Sequence, residues 1–176
     1  MAASRCFHGI KNIFKGRTIS QNTKLKAYNT IIVPILLYAS ETWTTTKEDR
    51  EKLKIFERKI MRKIFGPVRE GEIWRRRTNA EIYALINQPE IVQKLKTRRL
   101  RWLGHVERRE EDCPIKATMN ARPTGKRPLG RPKKRWLDEV MQDMEVLSIE
   151  GDWRQLCRDR TTWRRIVTRA HDLQGR

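Results

Sequence analysis

Apolar positions along this chain recur at the 3.6-residue spacing of helices, with no sustained alternation of the kind that builds strands. The clearest stripe is Leu53, Phe56, Ile60 and Ile64, at i, i+3, i+7 and i+11, which must be buried against something. Ahead of it Thr45-Thr46-Lys47-Glu48 has capping-box spacing, and Gly66-Pro67 behind it is a stop signal. The opposite face carries Glu51, Lys52, Arg58, Lys59, Arg62 and Lys63. Solvation is its most economical reading, although its later turns are wholly basic and could touch phosphate.

The same reasoning places the other elements. Ser20 caps a helix through roughly Val33, with Leu25, Tyr28, Ile31 and Ile32 on its apolar face, and Pro34 should break or kink it. The apolar run that follows reads as a buried short helix or turn anchored in the core by Trp43. Thr78-x-x-Glu81 is a second capping box, opening a short helix with Ile82, Leu85 and Ile86. Pro89 starts the next helix, where Ile91, Val92, Leu95, Trp102, Leu103 and Val106 lie near one side and Lys94, Lys96, Arg98, Arg99 and Arg101 decorate the rest. A basic amphipathic helix of this kind fits a nucleic-acid backbone better than a membrane, because its apolar face, Trp102 included, is committed to the core. Trp136, Val140 and Met144 share a face of a later helix, with Leu137 and Met141 beside them, and Gly151 breaks the pattern. Asp152-x-x-Gln155 then opens a last helix that turns Leu156, Trp163, Ile166 and Val167 inward. No fixed period repeats, which argues against a solenoid.

Charge sharpens this picture. The formal net charge is +19 over 176 residues, a field that favours a polyanionic partner. It is not evenly spread: residues 94 to 137 hold 15 Lys or Arg against 4 Asp or Glu, whereas residues 138 to 176 hold 7 against 8. Between Cys113 and Leu137 there is no acidic residue, while Lys116, Arg122, Lys126, Arg127, Arg131, Lys133, Lys134 and Arg135 all fall there. Gly125, Pro128, Gly130 and Pro132 forbid a continuous helix, so these cations ride on an extended, adaptable arm. Gly130-Arg131-Pro132 with Lys133 and Lys134 resembles the AT-hook, whose Arg-Pro segment enters the narrow, strongly negative minor groove of A·T-rich DNA; Leu129 departs from the basic residue usual there. A generic phosphate-contacting linker, and a nuclear-targeting or purely flexible segment, are the other readings of the same residues.

Candidate chemistry is sparse. Cys6, Cys113 and Cys157 are too scattered for a disulfide framework, so a reducing compartment is expected. The stretch MAASRCFHGIKNIF lacks the continuous apolar run of a signal peptide, and the longest apolar run, Ile31 to Ala39, contains Pro34 and is too short to span a membrane. The expectation is a soluble intracellular protein, nuclear or cytoplasmic. His105, Cys113, Cys157 and His171 match no zinc spacing, and His8 near Cys6 reads as incidental. Glu110-Glu111-Asp112 reads as an exposed loop, not as the converging carboxylates of two-metal phosphoryl transfer, and no phosphate loop or nucleophile elbow is found. No cofactor, metal site or catalytic residue is expected.

Four blocks carry a resemblance. PILLYASETW (Pro34 to Trp43), RRLRWLGHV (Arg98 to Val106), GKRPLGRPKKRWLDEV (Gly125 to Val140) and DRTTWRRIV (Asp159 to Val167) look, in that order and at those intervals, like landmarks in the carboxy-terminal part of non-LTR retrotransposon reverse transcriptases, the endonuclease-reverse transcriptase type. Together the blocks are specific, and they span nearly the whole chain. The resemblance implies that the chain corresponds to the helical thumb and the region after it, which hold a primer-template duplex by its backbone. Two departures stand out. The family's metal-binding Tyr-x-Asp-Asp is absent, with no adjacent Asp-Asp anywhere, and Ala39 stands where the family usually carries Gly.

The sequence therefore points to an all-α assembly of six or seven helices, with a helical thumb-like region over 1–112, a basic arm over 113–135 and a carboxy-terminal helical pair over 136–176. Its expected function is non-enzymatic nucleic-acid binding, with DNA or an RNA-DNA duplex as partner and the full-length retroelement polymerase as a second. The residues expected to grip it are Lys94, Lys96, Arg98, Arg99 and Arg101 on the helix, and Lys126, Arg127, Arg131, Lys133, Lys134 and Arg135 on the arm. The alternative is a co-opted helical module that binds an acidic protein.

Overall fold

Each of the long apolar stripes folds as a helix, and the fold is all-α apart from one small hairpin. The structure, a computed structural model, describes residues 2–86, 88–121, 129–130 and 134–172. It divides into two compact units, Met1–Ala39 with Lys47–Val92, and Ser40–Thr46 with Gln93–Gln174, so that one helix belongs partly to each.

The first unit holds α1 (Ala2–Gly9), α2 (Lys11–Lys15), α3 (Gln21–Ala27), a π-helical turn (Tyr28–Ile32), α4 (Val33–Leu36), α5 (Lys47–Phe65), the strands β1 (Val68–Glu70) and β2 (Ile73–Arg75), α6 (Asn79–Ile86) and the first residues of α7 (Ile91–Glu107). Ser20 caps α3 as expected, its hydroxyl accepting from the Thr23 amide at 3.1 Å. Pro34 does not end the helix. Its missing N–H would leave a carbonyl one turn back without a partner, and the widened turn over Tyr28–Ile32 takes up that mismatch so the chain stays helical to Leu36. Leu53, Ile60 and Ile64 are buried along α5 and Phe56 is half-buried, with Phe7 and Phe14 closing the aromatic side of this core at ring distances of 6.3 Å (Phe7 to Phe56) and 5.6 Å (Phe7 to Phe14). Ile31 and Leu85, expected to face inward, are exposed.

One buried acid ties this unit together. Glu57 accepts from the Tyr28 hydroxyl at 3.0 Å and from the Ile91 amide at 3.0 Å, so its charge sits at the positive end of α7. The second capping box forms as the sequence implies: the Thr78 amide donates to Glu81 at 2.7 Å and the Glu81 amide to the Thr78 hydroxyl at 3.3 Å. Gly66 takes the left-handed conformation at the end of α5, with φ 69° and its amide on the Arg62 carbonyl. The hairpin was not expected. Its signal is the two-residue Gly71-Glu72 connection between Val68–Glu70 and Ile73–Arg75, with Gly71 at φ 62° as a first turn position demands.

The second unit contains the rest of α7 with α8 (Pro114–Asn120), α9 (Trp136–Val146), α10 (Trp153–Arg158) and α11 (Arg160–Asp172). Its core joins Leu100 and Leu103 of α7, Val140 and Met144 of α9, Cys157 of α10, and Trp163 and Val167 of α11. Gly104 is needed for this packing. A Cβ there would lie 2.3 Å from the Trp163 ring, whose indole N–H donates to the Leu100 carbonyl at 2.9 Å. The single last helix expected from Asp152 is two helices, because Asp159 leaves helical geometry and its carboxylate caps α11 through the Thr161 amide. Helix α8 lies at the start of the stretch assigned to the basic arm. There Lys116, 5% exposed, donates to the Glu107 and Arg109 carbonyls and to Glu111, so it closes the end of α7 instead of meeting a ligand.

The largest departure from the sequence reading is Arg99, which is fully buried. Its guanidinium lies 2.6 Å from Glu139 and 3.1 Å from Asp143, and donates to the Thr45 hydroxyl at 3.3 Å. Lys96 approaches Asp143 at 3.6 Å. Thr45 joins this network as well, its amide donating to Glu139 at 2.7 Å and its hydroxyl donating to the same carboxylate. Burial pushes the Glu139 carboxyl up, but the two Thr45 donors and Arg99 outweigh it and hold it below the usual range. For Asp143 burial prevails over Arg99 and Lys96, and its carboxyl is raised.

Two substitutions test this core. Arg99→Met leaves two buried carboxylates uncompensated and is expected to cost about 3–5 kcal/mol, whereas Arg99→Met with Glu139→Leu and Asp143→Leu recovers most of that loss. Urea unfolding of the two variants checks it, and equal stabilities would exclude a buried ion network. Gly104→Ala forces Trp163 out of its seat and is expected to cost about 1–3 kcal/mol, measured the same way.

Candidate nucleic-acid interface

Free cations, not total charge, define what a polyanion can touch, so each expected contact residue must be located in the fold. On α7 the five cations divide sharply. Arg99 is enclosed and Lys96 is nearly so, both paired with acids of α9. Lys94 and Arg98 are half-buried and already engaged within the protein. Arg101 alone of the five is exposed. Helical geometry explains the division, since Arg99 stands four residues before Leu103 and four after Leu95, on the seam that faces α9.

Of the arm residues, Lys126, Arg127, Arg131 and Lys133 lie outside the described residues, as does the Arg131-Pro132 pair of the AT-hook resemblance. Lys134 and Arg135 are exposed at the start of α9, where the Arg135 amide donates to Asp138 at 3.1 Å and Lys134 reaches Gln142 at 2.7 Å. Trp136 is fixed by its indole N–H, which donates to the Glu41 carbonyl at 2.7 Å.

A cationic ridge that the sequence reading did not single out runs along the carboxy-terminal half of α7. Arg101 and His105 are one turn apart, and Arg109 lies in the turn just past the end of α7, with its guanidinium 3.1 Å from His105 Nε2. Burial lowers the His105 pKa first, and the charges of Arg109, Arg108 and Arg160 lower it further. Every charge acting on this imidazole is positive. Because Arg109 can only donate, the contact is a hydrogen bond when Nε2 is the unprotonated, accepting nitrogen. Its other face stacks on Trp102 at 5.3 Å between centroids, and Trp102 is half-buried over an apolar cleft of about 740 Å³ with Val106, Met119 and Trp136, not sealed in the core as expected. The i, i+4, i+8 spacing of Arg101, His105 and Arg109 was visible in the sequence, but nothing there brought Arg160 to the same place.

Among the described residues no three His, Cys, Asp or Glu side chains come together as metal ligands would, and no helix is long and apolar enough to cross a membrane. The Cys157 thiol is buried in the second core, which pushes its pKa up to about 12. It behaves as a small apolar group, not a nucleophile.

No protein-family model matches the chain, and no solved structure matches it. The chain is similar to a Caenorhabditis elegans protein described as transposon-derived, with 27% identity over 173 residues, 96% of this chain. It spans 62% of that protein's length. The similarity supports a transposon origin.

A phosphate laid on the ridge would reverse the field at His105. In the free protein its lowered pKa means that the unfolded chain binds the proton more tightly, so stability rises as pH increases through the unfolded value near 6.5. Binding of a short DNA duplex is expected to raise the His105 pKa, followed by the imidazole proton shifts in an NMR pH titration. A pKa that does not move on binding would remove the ridge from the interface.

Proposed function

We propose that this chain is a nucleic-acid-binding element of transposon origin, corresponding to the thumb and the following region of a non-LTR retrotransposon reverse transcriptase. It grips the duplex backbone electrostatically and carries no polymerase site of its own. The observation that carries the reading is the cluster at His105, where the Arg109 guanidinium lies 3.1 Å from the imidazole and Arg108 and Arg160 add positive charge, with no acid acting on the ring among the described residues. Like charges brought together at the end of one helix and the start of another are tolerated because water screens them, and a polyanion is the partner that relieves them best. The similarity to a transposon-derived protein and the net charge of +19 support the same reading. The Tyr-x-Asp-Asp that holds the catalytic metals in the family the chain resembles is absent from the sequence, so in this reading the element holds nucleic acid without acting on it.

Such binding is largely independent of sequence and falls steeply with salt, because each neutralised phosphate releases condensed counterions. Arg101→Ala and Arg109→Ala are each expected to weaken all duplexes alike and to lower the salt slope by about 0.9, read by fluorescence anisotropy over a salt series. If the arm reads the minor groove, Arg131→Ala selectively reduces the preference for A·T-rich duplex; equal losses on every duplex leave the arm as a phosphate-contacting linker. A salt-insensitive affinity, or tighter binding to an acidic protein than to duplex at matched charge, would overturn the proposal.

A further inference from the structure

The first unit holds a second basic site whose chemistry differs from the ridge. Between the last turns of α5 and the β1-β2 hairpin lies a groove of about 450 Å³, lined by Lys59, Arg62, Lys63, Trp74, Arg76 and Arg77 among others, with no acidic residue in its wall. Its size is that of a small-ligand cleft, which run from about 300 to 1,000 Å³, and not that of a surface wide enough to seat a double helix.

The groove is built rigidly. Arg62 donates to the Arg77 carbonyl at 3.2 Å and to Asn79 at 2.5 Å, and Arg77 in turn donates to the Gly66 carbonyl at 3.2 Å. Arg75 is held between Glu70 and Glu81, at 2.5 and 2.7 Å, so its charge is already answered and it serves to lock the hairpin onto the cap of α6. Lys59, Lys63 and Arg76 have no hydrogen bond or ion pair among the described residues, which leaves three cations facing the opening. The Arg62 pKa is lowered, first by burial and then by the charges of Arg76 and Arg58, as expected where cations gather without an anion.

Trp74 stands at the mouth, 64% exposed. Water is a poor neighbour for an indole of that area, and the fold leaves most of it uncovered. Ile73 is 73% exposed as well, but successive strand residues point to opposite faces, so the two do not form one insertable patch, and Glu70 and Glu72 flank the turn where an anionic membrane would have to approach. A flat aromatic face beside unpaired cations is the pairing that single-stranded nucleic acid uses, a base stacked on the ring and its phosphate on the charges. In a duplex the base faces are already stacked on one another, and the indole would have nothing to meet.

We propose that this groove binds an unpaired nucleotide of single-stranded nucleic acid, its base stacked on Trp74 and its phosphate held by Lys59, Lys63 and Arg76. The inference rests on the nucleic-acid reading above and adds to it a preference that the ridge cannot supply.

The test uses the full chain, a labelled oligothymidylate of about 15 nucleotides, an abasic strand of the same length and a blunt duplex. Trp74→Ala is expected to weaken oligothymidylate binding about 5- to 100-fold and to leave the duplex and the abasic strand unchanged, while Trp74→Phe keeps most of the affinity. Lys63→Ala and Arg76→Ala are expected to lower the salt slope on single strands by about 0.7 each. Because Trp74 is exposed, its variant should melt at the wild-type temperature, which separates lost binding from lost folding. Unchanged oligothymidylate binding by Trp74→Ala, with salt-dependent duplex binding intact, would overturn this inference and leave the proposed function standing. Loss confined to vesicles of phosphatidylserine and phosphatidylcholine would overturn it in favour of a lipid surface. Absence of all nucleic-acid binding in the wild type would overturn both.

Discussion

The second unit depends on a charge that has been taken out of water. Burying a guanidinium costs several kcal/mol unless its partners answer it, and Arg99 is answered by Glu139, Asp143 and the Thr45 hydroxyl. That requirement fixes more than one position. It sets the rotation of α9 so that Glu139 and Asp143, one turn apart, both face α7, and it draws Thr45 onto Glu139 by two hydrogen bonds. Hydrophobic contacts between Leu100, Leu103, Val140 and Met144 would tolerate some sliding of one helix along the other, whereas a bidentate set of charges tolerates little. In the first unit Glu57 has a similar part, joining Tyr28 to the first amide of α7.

How far the sequence was legible follows from the same physics. Helix positions were readable wherever burial and capping agreed, as at Ser20, at Thr78 with Glu81, and along Leu53, Ile60 and Ile64. Arg99 was misread because a periodicity argument assigns charged residues to the outside. The corrective signal lay on another helix, where Glu139 and Asp143 stand four residues apart on one face, bordering the apolar stripe of Val140 and Met144. The hairpin at Gly71-Glu72 was passed over because each strand is three residues long, below what alternation can reveal. Helix α8 was hidden by the cation count of its surroundings, although Lys116 turns out to serve the end of α7. Ala39 was noted only as a departure from glycine. Its φ of 52° now supplies the reason a glycine suits that position, since a side chain in the left-handed region is strained.

The surplus of positive charge therefore has two uses within one chain. Arg99, Lys96, Lys116, Arg62, Arg75 and Arg77 hold the protein together by answering carboxylates or closing carbonyls. Arg101, Arg109 and Arg160 on the second unit, and Lys59, Lys63 and Arg76 on the first, remain turned outward. Net charge counts both sets alike, and only the second can neutralise phosphate. An affinity for a polyanion estimated from +19 would be too high for that reason.

Three of the sequence blocks that resemble reverse transcriptases, with the end of the first block from Ser40 to Trp43, meet one another in the second unit. Arg99 of one reaches Glu139 of another, the Trp163 indole of a third lies against Leu100 and Gly104, and Trp136 donates to the Glu41 carbonyl. Their distinctive residues are thus packing residues. A match carried by them speaks for a shared scaffold, because each would be lost if its partner changed, but it is indifferent to what the outer surface binds. The reading of function accordingly rests on the residues the blocks do not explain. Arg109 and Arg160 around His105, and Arg76 with Trp74 in the groove, present charge and an aromatic face at the surface, and the proposed polyanionic partner would engage both.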